Sequence, residues 1–175
     1  YEAIIKEANI HAKDKKNNWF LQAPPKDNYV NLYPAWIFME KQIFNKKPEE
    51  VKLDELCKKL NKKPYGIPKG VFPLLFTIFY AVHQDELFLY RQGSFLPDAN
   101  TEHFDLLQNR LDLFTVKGLR IEGIQLKIIK RLANSLQTEQ SINHVVKALY
   151  SYINNLPDIS KRSNKIEDKT AIAMR

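Results

Sequence analysis

Cysteine is almost missing from this chain: Cys57 is the only one in 175 residues, which excludes an intrachain disulfide and with it a secreted scaffold stapled by bridges. A reducing cytoplasm is the expected setting. Long apolar runs are missing as well. The longest, Val71 to Val82, is about a dozen residues where a bilayer takes about 20, so it predicts a buried helix, and no membrane partner is expected. Neither an internal repeat nor a low-complexity tract occurs, and there is no Walker motif. The chain opens on Tyr1 rather than Met and lacks the basic, apolar, small-residue succession of a secretory signal. It is expected to be an internal piece of a larger intracellular protein.

What is present has the balance of a folded domain. Hydrophobic residues at 44% and charged residues at 27% match ordinary globular usage and exclude a disordered chain. A chain of this length can bury roughly 70% of its extended surface, enough for a real core. The 27 Lys+Arg against 20 Asp+Glu give a net charge of +7, which favours acidic partners such as nucleic acid through long-range attraction.

Hydrophobic spacing then divides the chain. Ile4, Ile5 and Ala8 predict an amphipathic helix over Tyr1 to Lys13. Trp19 to Leu21, closed by Pro24 and Pro25, predicts a short extended segment. Tyr33 to Phe44 predicts an aromatic-faced helix begun by Pro34 and ended by Lys46, Lys47 and Pro48. A second helix is expected over Val51 to Leu60, with Leu53, Leu56, Cys57 and Leu60 inward and Lys52, Lys58, Lys59, Lys62 and Lys63 outward. The prolines and glycines of 63–70 predict a turn. A third helix to His83 is apolar on nearly every face and must be surrounded by protein.

From Asp85 to Leu96 the period drops to two, predicting a hairpin turned at Arg91 to Ser94, with a third strand over Leu113 to Ile121. Thr101 is the candidate N-cap of a short helix through Phe104, Leu107 and Leu111. Gly123 precedes a helix over Ile124 to Leu136. Ser141 caps another carrying Val145, Val146, Leu149, Ile153 and Leu156, and Ser160 to Arg175 reads as a loop and then a helix. Three helices, a turn before the third and a hairpin are the order of a winged helix. The expected fold is therefore mainly α (α+β): a winged-helix-like core with a small antiparallel sheet and flanking helices. The expected organisation is an N-terminal helix and connection over 1–27, the winged-helix-like domain over 28–122, and C-terminal helices over 123–175.

Pro64-Tyr65-Gly66-Ile67-Pro68 with Gly70 and Leu74-Leu75, followed by Leu87-Phe88-Leu89-Tyr90 and Gly93-Ser94-Phe95, resembles an internal region of large bacterial P-loop ATP-binding proteins of the phage-resistance type, including those of BREX-like systems. The likeness runs over Asn28 to Arg175. In those proteins the P-loop portion lies nearer the N-terminus. The resemblance implies a part in an ATP-driven DNA-defence machine and no enzyme in this piece.

The candidate sites divide into basic surfaces and tempting residues with simpler explanations. A winged helix suggests duplex DNA, but the third helix offers only Thr77, His83 and Gln84 as polar readers of base edges, which points to a core helix. Phosphate contact remains for Lys58, Lys59, Lys62 and Lys63 on one surface, for Lys127, Lys130 and Arg131 on one face of a helix, and for Arg91 at the hairpin tip. The alternative for each is a solvated face. His11, His83, His103 and His144 stand singly without zinc spacing, so no metal or cofactor is expected. Cys57 on an apolar stripe reads as a packed thiol, and Glu102, His103 and Asp105 as first-turn capping. The glycines of 66–70 lack the Lys and Ser/Thr of a phosphate loop. The sequence thus predicts a noncatalytic module that binds other domains of its own chain or partner proteins, with nonspecific DNA contact as the alternative.

Overall fold

The computed structural model describes residues 5–27, 30–45, 49–121 and 123–157, and over them the protein is α+β. β1 (His11–Lys13) and β2 (Trp19–Leu21) form a hairpin in which His11 faces Leu21 and Lys13 faces Trp19. After it come α1 (Tyr33–Ile43), β3 (Val51–Lys52), α2 (Leu53–Asn61) and α3 (Phe72–Val82). Then follow β4 (Leu87–Arg91), β5 (Ser94–Phe95), α4 (Thr101–Asn109), a 3-10 turn at Leu111–Leu113 and β6 (Phe114–Gly118). Two helices, α5 (Ile124–Ser135) and α6 (Ile142–Asn155), close the series. The larger sheet is antiparallel in the order β3-β6-β4-β5.

The most apolar segment is the centre of the molecule. α3 buries Phe72, Pro73, Leu75, Phe76, Ile78, Phe79 and Tyr80, and burial of each large ring or branched chain is worth about 1.5–3 kcal/mol. Pro73 lies in the first turn, where its missing N–H costs no helical bond. Around α3 pack Trp36 and Met39 of α1, the predicted stripe Leu53, Leu56, Cys57 and Leu60 of α2, and Leu87, Leu89, Phe114 and Val116 of the sheet. Burial pushes the Cys57 thiol up, as expected of a packed thiol rather than a nucleophile.

β6 alternates as a sheet with one core face should, burying Phe114, Val116 and Gly118 and turning Thr115 and Lys117 the other way. At Gly118 a Cβ would stand 2.6 Å from a ring carbon of Phe44, so α1 and β6 can approach this closely only over glycine. β4 breaks the alternation by burying Leu87, Phe88 and Leu89 in succession. Its second face is covered because Phe88 shares a cleft with Ile142 and Val146 of α6. Asn143, 3% exposed, anchors α6 there: its amide donates to the carbonyls of Gln84 and Leu87. Lys147 to Asp98 at 3.5 Å adds an ion pair.

Five expectations change. The helix expected to run through Leu111 ends at Asn109, and Leu111 begins the 3-10 turn. His11–Lys13 is a strand, not the end of a helix, because Asn9 adopts a left-handed φ of 53° and stops the preceding turn; residues 1–4 lie outside the described residues. Val51–Lys52 pairs with Val116 and Thr115 of β6, so α2 begins at Leu53; a tertiary pairing outweighs the local helical pattern. The N-cap of α4 is Asn100, not Thr101, in a reciprocal box with His103. Leu74 of α3 is 43% exposed. The turn at 63–70, the strand Phe114–Gly118 and the Ser141 cap of α6 match the spacing signals. The tail Ser160 to Arg175 and Lys46 to Pro48 lie outside the described residues.

Candidate interaction surface

The basic candidates separate into partly neutralised and free groups. Lys58 of α2 donates to Asp54 at 2.9 Å, and Lys59 to the Gln42 side chain at 3.0 Å. Lys62 and Lys63 follow α2 and are exposed. Asp54 and Glu55 in the first turn of α2 further dilute this patch, and Glu55 also pairs with Lys52 at 3.4 Å. Arg91 is exposed at the β4–β5 turn, opposite Ser94. Lys127, Lys130 and Arg131 are all exposed on α5, and none has a side-chain ion pair among the described residues. They form the more available cationic surface.

α3 is largely buried and flanked by another helix. α4 packs along it, with Phe104 edge-on to Tyr80 at 5.4 Å. The groove between the two helices is lined by Gly70, Pro73, Leu74, Thr77, Asp105, Gln108 and other α4 residues. An acidic side chain lines that groove and no basic one does, the reverse of what phosphates attract.

α5 and α6 meet across the short link 136–141 and pack on each other, the arrangement of an antiparallel helix pair. Ala133 and Val145 are buried. The apolar stripes are wider than the contact that covers them. Ile124, Leu126, Ile128 and Leu132 of α5, with Leu149, Tyr150, Tyr152 and Ile153 of α6, make up eight of the twelve exposed large apolar side chains among the described residues. With Lys127, Lys130 and Arg131 also exposed on α5, this concentration of exposed apolar side chains makes the two helices the candidate surface. Spacing alone had identified the stripe of α6 but not that Leu149 and Ile153 remain uncovered.

Long-range folding also assembles a polar cluster that the separated histidines did not suggest. His83, with its side chain 12% exposed, has Nε2 3.3 Å from Glu40 of α1 and Nδ1 4.0 Å from Glu86. Arg120 pairs with Glu86 at 3.0 Å and lies over the Phe44 ring. The indole of Trp36 donates to Glu40 at 3.2 Å. The His83 ring lies against Trp36, Phe44 and Phe79, and its Nε2 is buried without an aligned hydrogen bond. Burial pushes the imidazole below the ordinary histidine value, with Glu40 opposing the shift and Arg120 adding to it. Walled by rings, the group is suited to holding α1, α3 and the segment after β6 together.

The sign of its linkage follows. Below about pH 6.5 the unfolded chain takes up a proton at this histidine more readily than the folded one, so stability falls as pH falls through that value. Urea midpoints measured at about pH 7.5 and 5.5 should decline on acidification, and His83→Gln should flatten the decline. Equal slopes for both proteins would remove His83 from the account. Among the described residues no cluster of three or more His, Cys, Asp or Glu is disposed to hold a metal, and no helix is long and apolar enough to cross a membrane.

No family model matches the chain, and no curated protein or solved structure is significantly similar to it.

Proposed function

We propose that this chain is a noncatalytic interaction module, a winged-helix-like core bearing the α5–α6 pair as its contact arm, within a larger ATP-binding protein of bacterial phage defence. The winged-helix reading is supported by the order helix, short strand, two helices and hairpin, and by β3 pairing with the last strand, β6, in the order β3-β6-β4. The ATPase context rests on the sequence likeness alone. The contact role is carried by one observation, the uncovered apolar face of α5 and α6.

The occupant that fits this face is an acidic amphipathic segment from another domain or a partner protein. Its apolar side would cover Ile128, Leu149 and Ile153, while its carboxylates would meet Lys127, Lys130 and Arg131. Hydrogen exchange of the larger protein tests this directly. Amides of α5 and α6 should be at least about tenfold better protected there than in the isolated chain, and Ile128→Glu with Ile153→Glu should erase the difference. Equal exchange in both settings would refute the proposal.

The second reading, DNA backbone contact, is favoured by the exposure of Lys127, Lys130 and Arg131 and by their having no ion pair among the described residues. Fluorescence anisotropy with labelled duplex DNA at low and near-physiological salt separates the two. Binding whose log–log salt slope is about −0.9 per neutralised phosphate, and which is lost when the three residues become Glu, would favour DNA. No binding at low salt favours the protein partner.

A further inference from the structure

α6 does not close fully onto the sheet it covers. Between them lies a cleft of about 290 Å³, with Phe88, Tyr90, Phe95 and Lys117 on the sheet side and Ile142 and Val146 on the helix side. The cleft is open to solvent, and its volume lies just under the lower end of ligand pockets, about 300 Å³. The aromatic walls are mutually braced. Phe95 lies tilted against Phe88 at 5.8 Å and against Tyr90 at 5.6 Å, and meets Tyr150 of α6 edge-on at 5.9 Å.

The cleft contains one cation and no anion. Lys117 stands in the middle of β6, in register with Phe88, half-buried, and has no carboxylate partner among the described residues. On the same strand Thr115 holds the nearby acid, donating to Glu50 at 2.8 Å. A cationic side chain lining an otherwise apolar cleft attracts a counterion more strongly than one in open water, because apolar walls lower the local dielectric.

We propose that this cleft binds a small amphipathic carboxylate. Its ring or short alkyl body lies between Phe88 and Phe95 on one side and Ile142 and Val146 on the other, and its carboxylate is on the Lys117 ammonium. The site lies on the sheet-facing side of α6, sharing only Tyr150 with the exposed set of α5–α6, and stands independently of the function proposed for that face. Such a ligand would also bridge α6 to β6 and so hold the contact arm against the core.

Amide chemical shifts followed by NMR during titration with 3-phenylpropionate and with neutral 3-phenylpropionamide test this. Saturable shifts are expected at Phe88, Lys117 and Val146, with the acid bound about tenfold more tightly, a difference of about 1.4 kcal/mol. Lys117→Met should abolish the preference for the acid while the ring still binds. Val146→Trp, which fills the cleft, should abolish both, its fold being checked by circular dichroism. Equal affinity for acid and amide, no saturable shift at these residues, or a preference unchanged in a Lys117→Met variant whose fold is checked in the same way would each overturn the proposal.

Discussion

Phe79→Ala is expected to lower the unfolding free energy by about 3–5 kcal/mol, a large share of the roughly 5–15 kcal/mol that domains have in total. Phe79 is fully buried on α3 and stands 4.9 Å from Trp36, 4.5 Å from His83 and 6.5 Å from Phe44 between ring centres. Alanine would remove a ring that three other rings contact. They could not collapse into the space without leaving their own helices, so a cavity would remain. Leu74→Ala is the control on the same helix, since Leu74 is 43% exposed and its truncation should cost less than about 1 kcal/mol. Urea denaturation read by far-ultraviolet circular dichroism gives both values. If the two cost the same, α3 is not the centre of the core.

Asn143→Leu should cost about 1–3 kcal/mol and act locally. Leucine keeps the volume but removes the donor that serves the Gln84 and Leu87 carbonyls, leaving two acceptors facing an apolar side chain. α6 is held to the core at this point, by the Lys147–Asp98 and His144–Asp85 contacts and by Tyr150 against Phe95, so the result should be a loosened arm on an intact core. Hydrogen exchange should rise in α6 and α5 while α3 and β4 stay protected. Unchanged protection of α6 would mean that Asn143 is not the anchor, and uniform loss across the chain would mean that the arm and core unfold as one. If α5–α6 is the proposed contact arm, its loosening should also weaken capture of the acidic segment, although Asn143 is not among the exposed side chains of that face.

The elements legible in the sequence were those whose signals are local. α1, α2 and α3 follow from apolar spacing, and the β4–β5 hairpin from period two with Gly93 at φ 78° in its turn. The cap at Ser141 could be read because its oxygen accepts from the N–H of His144, three residues on. Two-residue β3 was hidden because a strand that short has no period of its own and exists only through Val116 and Thr115. The N-terminal hairpin was hidden for a related reason. Ile5 and Ala8 resemble a helical stripe, and the left-handed Asn9 that ends it is only one of many asparagines in a sequence.

The candidate surface was legible by half. Spacing alone put Lys127, Lys130 and Arg131 together on α5 and marked α3 as a core helix, because charge and hydrophobic period are properties of one helix. Tertiary structure decided the rest: that α4 covers α3, that α6 covers one face of the sheet yet leaves a cleft at Lys117, and that the outer stripes of α5 and α6 stay bare. An apolar stripe states that a helix has something to cover, but what covers it depends on elements distant in the chain, and no local period carries that information.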